Sequence, residues 1–454
     1  MPAPLVDFEQ KLHKATSSDD DNSLPNVAVI AANSNGRSVV HRVLLLRAEL
    51  TTVVSGTILT SISSGTFLPR APVRNVSDSA SGAVNIDAVA EKFTADTICW
   101  IASCTKLMIS ISAMQLVERR LLSLDDDIAQ TVLPEFKGIQ VLTKMTDDGP
   151  VLKPAKNKIT LRNLLTHSSG LAYEFTHPKM FAWRQWFNAQ SKDNKTKTRS
   201  SDPAVAYLAP LMFEPDTGGW TYGYSIDWVG VAVSRISGLT LGEYMQRNIW
   251  NPLGMTSTTF DLQSRPDLLS RMASMTSRND EGKLERGGSG GMTDPFKMGV
   301  KESGGGGAFS TANDYIKLLI AILQNNGKLF KSRDTIPYMI SPHLKDPAHL
   351  AAMHANPMSY GLAGNLPQDT KLDYALGGIT NLTRVSTTGR AAGSMQWAGL
   401  PNLFWWINPK DGICGCYFGQ ILPPGDVPSF LMYEAFEKAV NATFVKGTAE
   451  KGRL

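Results

Sequence analysis

Residues Trp100 to Glu118 read WIASCTKLMISISAMQLVE, and the interpretation of the whole chain turns on this stretch. Apolar side chains recur at Leu107, Ile111, Met114 and Val117, a helical spacing, and neither Pro nor Gly interrupts them. A helix therefore begins near Ser103. Lys106 lies three residues on, and residues i and i+3 are neighbours on one helix face. A serine beside a lysine is a nucleophile with its own base, provided that the amine is neutral. The start of the helix also presents free backbone N–H groups and a partial positive charge, which would meet an oxyanion forming beside Ser103. A serine at this position could equally be an N-cap. The four residues Ser103-Cys-Thr-Lys106 leave both readings open, and the rest of the chain has to separate them.

Two further stretches bear on the question. Gly219-Trp-Thr-Tyr222-Gly-Tyr224-Ser-Ile-Asp227-Trp228-Val-Gly230 reads as a loop entering a helix. Gly393-Ser-Met-Gln-Trp397-Ala-Gly399-Leu400-Pro-Asn-Leu-Phe-Trp405-Trp406 reads as a turn and β-strand. In order, Ser-x-x-Lys, then a tyrosine motif, then a late strand ending in Trp-x-Gly resembles the serine β-lactamase and penicillin-binding-protein superfamily. Within it the chain looks most like class C-type esterases and fungal transesterases of the lovastatin acyltransferase kind. Ile159–Leu171, with Leu-Thr-His167-Ser-Ser-Gly170, and Gly304–Tyr315 resemble further segments of that family. The resemblance spans roughly residues 91–425.

The resemblance implies a division of labour. Ser103 is the nucleophile, Lys106 its base, and Tyr222 the phenol that passes a proton to or from the exchanging alcohol. The backbone N–H groups of Ser103 and Leu400 form the oxyanion hole. Gly399 suits a strand that substrate must approach closely. At the position of Trp397, β-lactamases and penicillin-binding peptidases usually carry a cation that holds the substrate carboxylate. A tryptophan offers an apolar wall instead. Tyr224 stands where β-lactamases have Asn, which removes an amide donor. Trp397, Gly399 and Tyr224 are thus the expected substrate-binding residues, and both aromatics point away from β-lactams and toward a neutral, apolar ester or acyl group. Either aromatic could instead be ordinary core. His167 is read as structural, because the family uses no histidine base, and Asp227 as support for its loop.

The functional expectation is a serine acyltransferase. It moves an acyl group from an ester or thioester, with an acyl-carrier domain as one possible donor, to a hydroxyl of a small, largely apolar, polyketide-type acceptor. The fungal-transesterase likeness sets such a reaction in secondary metabolism. The alternatives are a carboxylesterase using the same mechanism, a β-lactamase, or a catalytically inactive binding module.

Composition fits an enzyme and excludes little else. The chain has 454 residues, 42% hydrophobic and 19% charged, ordinary for a globular protein. A net charge of +4 gives no reason to expect nucleic acid or an anionic membrane as partner. The histidines show no H-x-H or HExxH spacing, so no metal is expected. The glycine run Gly304–Gly307 lacks the Lys-Ser/Thr of a phosphate loop, so no nucleotide is expected either. No other cofactor is implied. Cys99, Cys104, Cys414 and Cys416 have neither zinc nor disulfide-framework spacing and read as reduced, buried thiols, with Cys104 turned away from the Ser103–Lys106 face. The N-terminal residues lack a basic region followed by an apolar one, so no secretory signal is expected. With no apolar stretch long enough for a bilayer, the expected location is cytoplasmic.

Strand patterns at both ends and helices between them predict an α/β (α+β) architecture, an antiparallel sheet flanked by terminal helices with an inserted all-helical domain; the resemblance implies that this fold is β-lactamase/transpeptidase-like. Residues 1–115 and 301–454 form the two parts of the α/β domain, and 116–300 the mainly helical one. Helices are expected at Val6–Thr16, Asn313–Asn325 and Pro428–Phe444, and strands at Asn26–Ala32, Ser394–Ala398, Asn402–Ile407 and Ile413–Phe418. The turn Asn33–Gly36 should lead to a returning hairpin strand. Instead 37–90 reads as an atypical insertion, with an uncharged, β-prone run at Thr51–Leu68 that would be an aggregation hazard if exposed. Part of Val39–Ala80 could be a gene-model artefact such as a retained intron.

Overall fold

A computed structural model describes residues 3–17, 23–34, 60–65, 93–190, 200–287, 294–297, 299–354, 364 and 366–451. Most of the 37–90 insertion, including nearly all of the proposed artefact, lies outside these residues.

The centre is a seven-stranded antiparallel sheet. Its spatial order is Thr60–Gly65, Asn26–Asn33, Ile413–Phe418, Leu403–Asn408, Ser394–Gly399, Ile379–Asn381 and Leu372–Tyr374. Side chains alternate between its faces, as the pleat requires. Val29, Ala31, Ala398, Phe404, Trp406 and Tyr417 meet Leu5, Phe8 and Leu12 of the Ala3–Ser17 helix and Phe430, Tyr433 and Phe436 of the Val427–Lys451 helix. Ile30, Met395, Trp397, Trp405, Ile407, Cys414 and Cys416 face the larger core on the other side. Both faces are covered, so the strands are apolar on both sides. The terminal helices and three C-terminal strands lie where the sequence puts them, to within a few residues at the strands.

The hairpin expected after Gly36 takes a different form. The partner of Asn26–Asn33 is Thr60–Gly65, paired from Asn26↔Gly65 to Ala31↔Thr60. The uncharged run thus contributes an edge strand. The 116–300 segment, expected to be mainly helical, holds Leu161–Leu165, Pro178–Gln190 and Ser225–Ser237 among its helices. It also carries the hairpins Gln140–Thr146/Gly149–Pro154 and Thr276–Arg278/Leu284–Arg286.

The Thr105–Glu118 helix runs through the core between sheet and helical segment. Every residue from Thr105 to Leu116 is buried, including Lys106, Ser110, Ser112 and Gln115. Its polar side chains therefore need internal partners, and all of these but Ser110 Oγ find one. Gln115 donates to the carbonyls of Asn248 and Leu329, and Ser112 to that of Met108. No described helix is long and apolar enough to cross a membrane.

Candidate active site

Ser103 sits in a single 3₁₀ turn, Ala102–Cys104, that feeds the Thr105–Glu118 helix. The residue before it, Ala102, has φ of +43°, a left-handed conformation that costs a non-glycine residue about 1–3 kcal/mol. Neither the turn nor the helix has a side-chain cap, so the capping reading of Ser103 fails. Its Oγ instead accepts from the Tyr222 hydroxyl at 2.6 Å and from Lys106 Nζ at 3.2 Å. Two segments far apart in sequence, the Ser103–Lys106 turn and the Tyr222 loop, are thus tied together at one oxygen.

Lys106 is 2% exposed. Besides Ser103 it donates to the Gly305 carbonyl at 2.6 Å and to the Tyr173 hydroxyl at 3.2 Å. Tyr173 in turn donates to Asp227 Oδ2 at 2.6 Å. Asp227 Oδ1 accepts from Ser303 Oγ at 2.7 Å and from the Gly305 N–H at 2.8 Å. Burial first, and then the Asp227 charge, push the Tyr173 hydroxyl well above the usual tyrosine range, so it stays protonated. Asp227 supports the Gly304–Gly307 loop, not the Tyr222 loop that its sequence reading named.

That loop is fastened to the Ser103 segment along its length. Trp100 Nε1 donates to the Gly306 carbonyl at 2.7 Å, Ile101 N–H to that of Ala308, and Ala308 N–H to Thr105 Oγ1. Gly305 has to be glycine for want of space: a Cβ there would lie 2.3 Å from Asp227 Oδ2 and 2.5 Å from the Tyr173 hydroxyl. Tyr173 and the Gly305 carbonyl were not singled out by the sequence. The glycine run was, as a failed phosphate loop and as part of a family-like segment, but not as a partner of Lys106.

Tyr222 is 2% exposed and held through its backbone and ring. Its carbonyl accepts from Tyr173 N–H at 3.2 Å and Thr176 Oγ1 at 2.6 Å. Its ring centroid lies 4.8 Å from His167, 5.2 Å from Trp397 and 5.3 Å from Tyr173. His167 is fully buried with φ of +58°, and its Nδ1 accepts from the Gly223 N–H. Burial and the nearby Lys106 charge hold the imidazole well below its usual pKa, so it is neutral. It makes ring contacts and no bond to Ser103 or Lys106 that would make it a base.

The remaining candidates are placed less uniformly. Gly399 abuts the Ser103 turn, where a Cβ would stand 2.6 Å from the Ile101 carbonyl and 3.2 Å from Cys104 Sγ. Leu400 packs against the hydrophobic cluster that includes Trp100, Ala102 and Phe309. Trp397, 2% exposed, pairs with Trp405 across the sheet and packs on Tyr222 and Tyr374. The Tyr224 hydroxyl is engaged elsewhere. It donates to Glu174 at 2.9 Å, and Arg184 Nε binds the same carboxylate at 2.6 Å. Cys104 is buried, and burial pushes its thiol up. Among the described residues no cluster of acidic, histidine or cysteine side chains could hold a metal.

Known proteins share this arrangement of chain. The β-lactamase family model matches residues 21–433. Monacolin J acid methylbutanoyltransferase of Aspergillus terreus is 36% identical over 362 residues, which cover 78% of this chain and 84% of that protein. Lovastatin esterase of Penicillium rubens is 37% identical over 336 residues, 73% and 81% of the two chains. Unliganded simvastatin synthase of Aspergillus terreus matches in structure with a TM-score of 0.81 at 30% identity, covering 98% of this chain and 99% of the other.

Proposed function

The chain belongs to the β-lactamase family, and from that premise we propose that it is a serine acyltransferase acting on a small, largely apolar hydroxyl acceptor. The observation that carries this reading is Ser103 Oγ, held at once by Tyr222 and Lys106 and capping nothing. In the first half-reaction, Ser103 Oγ bonds to the carbonyl carbon of an ester or thioester and its proton passes to the Lys106 amine. The backbone N–H groups of Ser103 and Leu400 receive the oxyanion, and each such donor is typically worth about 3 kcal/mol in the transition state. The carbon–heteroatom bond breaks, and the departing alcohol or thiol takes a proton from the Tyr222 phenol. The Lys106 ammonium beside it restores that proton. In the second half-reaction, an acceptor hydroxyl gives its proton back along the same route and takes the acyl group from Ser103.

The relatives' names guide the substrate class. One is a methylbutanoyltransferase of monacolin J acid, so the acceptor here is a hydroxylated polyketide-type molecule and the acyl group a short one. A thioester on an acyl-carrier domain is a chemically suitable donor. Trp397 and Gly399 line the approach to Ser103, and Tyr224 shapes it from behind Tyr173, whose ring it meets edge-on at 4.6 Å. A second reading, hydrolysis, is favoured by the lovastatin esterase among the relatives. It needs only that water replace the acceptor.

Intact-mass measurement after mixing with a short acyl thioester tests the nucleophile. One added acyl group, absent in Ser103→Ala, is the expected result. A folded protein that gains no mass from any of a panel of activated esters would refute it. Product ester measured against free acid, with an apolar alcohol present, then separates transfer from hydrolysis.

A further inference from the structure

The hydrogens around Lys106 can be counted. As an ammonium it has three, and three acceptors surround it: the Gly305 carbonyl, the Tyr173 hydroxyl oxygen and Ser103 Oγ. As a neutral amine, the form that takes the serine proton, it has two hydrogens and one lone pair. Where the lone pair points decides whether it is a base toward Ser103. The Gly305 carbonyl can only accept. Tyr173 would ordinarily be free to donate or accept, but its one proton is donated to Asp227 Oδ2, with the two oxygens 2.6 Å apart. Toward Lys106 it too can only accept. Both hydrogens of the neutral amine are then claimed, and the lone pair is left facing Ser103 Oγ.

We propose that Tyr173 and Asp227 are positioning residues that aim the Lys106 lone pair at Ser103, a role that rests on the acyltransferase reading above. The logic matches that of a buried carboxylate fixing which nitrogen of a histidine base carries the proton. Neither residue touches the reacting atoms. The Asp227 carboxylate is fixed for the task, because its other oxygen is held by Ser303 Oγ and the Gly305 N–H. The Gly305 peptide is therefore used at both ends, its N–H on Asp227 and its carbonyl on Lys106.

The proposal makes an unusual prediction for Asp227→Asn. An asparagine would keep its carbonyl oxygen toward the Ser303 and Gly305 donors. Its amide would then face Tyr173 and donate to the phenol oxygen. The Tyr173 proton would be turned round onto the Lys106 lone pair, closing the base. Tyr173→Phe, by contrast, only removes one acceptor and leaves the lone pair free to wander.

The test is the rate of Ser103 acylation by a short acyl thioester, followed by time-resolved intact mass at saturating donor, with thermal midpoints for each variant. We expect Tyr173→Phe to slow acylation about a hundredfold, the scale of a misaimed reacting group. Asp227→Asn should slow it further, toward about 10⁴-fold, the scale of a base held in the wrong tautomer. The double variant Tyr173→Phe/Asp227→Asn should recover to the level of Tyr173→Phe alone, since no phenol remains to be turned round. A merely structural role would instead make the two losses add. A folded Tyr173→Phe that acylates at the wild-type rate, or a double variant slower than either single one, would overturn the proposal while leaving the acyltransferase reading intact. Wild-type protein that never acylates would sink that reading, and this inference with it.

Discussion

Tyr222 stands between two sets of side chains built on opposite rules. On one side, Ser103, Lys106, Tyr173, Asp227 and Gly305 are joined by hydrogen bonds of 2.6–3.2 Å, and each of their polar groups has a partner. On the other, His167, Trp220, Tyr374 and Trp397 meet ring to ring, with centroids 5.4–6.1 Å apart. There His167 Nε2, Trp220 Nε1 and Trp397 Nε1 are buried without a hydrogen-bond partner. Each unmet group of this kind costs about 1–3 kcal/mol. The difference teaches where direction matters. Hydrogen bonds fix where protons point; ring packing fixes where a ring lies but carries no proton. Removing a single hydrogen bond on the first side should show in rate at nearly constant stability, and changes on the second side in stability.

Tyr222→Phe cuts between the two and has a larger effect than either Gly305→Ala or His167→Asn. The phenylalanine keeps the contacts with His167 and Trp397 and loses only the bond to Ser103. Acylation should fall about 10²–10⁴-fold, the usual span for a positioned proton-transfer group. Stability should fall by about 1 kcal/mol at most. Burst kinetics and thermal melts read the two quantities. A Tyr222→Phe variant that melts early yet acylates within a fewfold of wild type would erase the distinction.

Gly305→Ala sharpens the hydrogen-bonded side from within. The added methyl group would press on Asp227 and Tyr173 together. Overpacking of this kind costs about 1–3 kcal/mol. Because both displaced groups belong to the Lys106 network, acylation should fall along with the melting temperature. A variant that melts early but acylates normally would show that the loop is a scaffold and not part of the proton geometry.

How much of this could be read beforehand follows the same line. The sheet strands Leu403–Asn408 and Ile413–Phe418 announce themselves because covered strands are continuous apolar runs. The Ser103 helix is visible through its apolar spacing, and Tyr222 and Trp397 through motif order. The Lys106 network is not visible. Tyr173 sits in Ala-Tyr-Glu-Phe, with no periodicity and no motif of its own, and meets Lys106 only because its loop is bonded to the Tyr222 carbonyl. Gly305 acts through a carbonyl, and no side chain marks it. The strand Thr60–Gly65 escaped for a related reason. A turn signal predicts a partner next in sequence, whereas Asn26–Asn33 finds its partner well beyond Gly36. Tyr224 was read by analogy to an asparagine, but its hydroxyl has a private partner in Glu174. Contacts between distant segments are products of the fold, and local pattern does not encode them.

His167 gives the smallest effect and tests the ring side by itself. Its folded-state pKa lies well below 6.5, through burial and then the Lys106 charge. The unfolded chain titrates near 6.5. As pH falls below that value, the unfolded state gains a proton that the folded state refuses. The stability contributed by the neutral imidazole is therefore complete above about pH 6.5 and is lost below it, at about 1.4 kcal/mol per pH unit. His177 and His343 are depressed in the same sense by burial and add slopes of their own. The informative quantity is thus the difference between wild type and His167→Asn. Asparagine tolerates the left-handed backbone at this position, and its carbonyl can take over the Gly223 N–H. It lacks the ring, so the variant should be less stable at pH 8. Between pH 6.5 and 5 the gap should narrow by about 1.4 kcal/mol per unit, as measured by denaturant unfolding. Acylation at pH 8 should change far less than in Tyr222→Phe. A gap independent of pH would mean that His167 titrates normally. The ring side would then not be the non-directional packing against which the hydrogen-bonded side has been set.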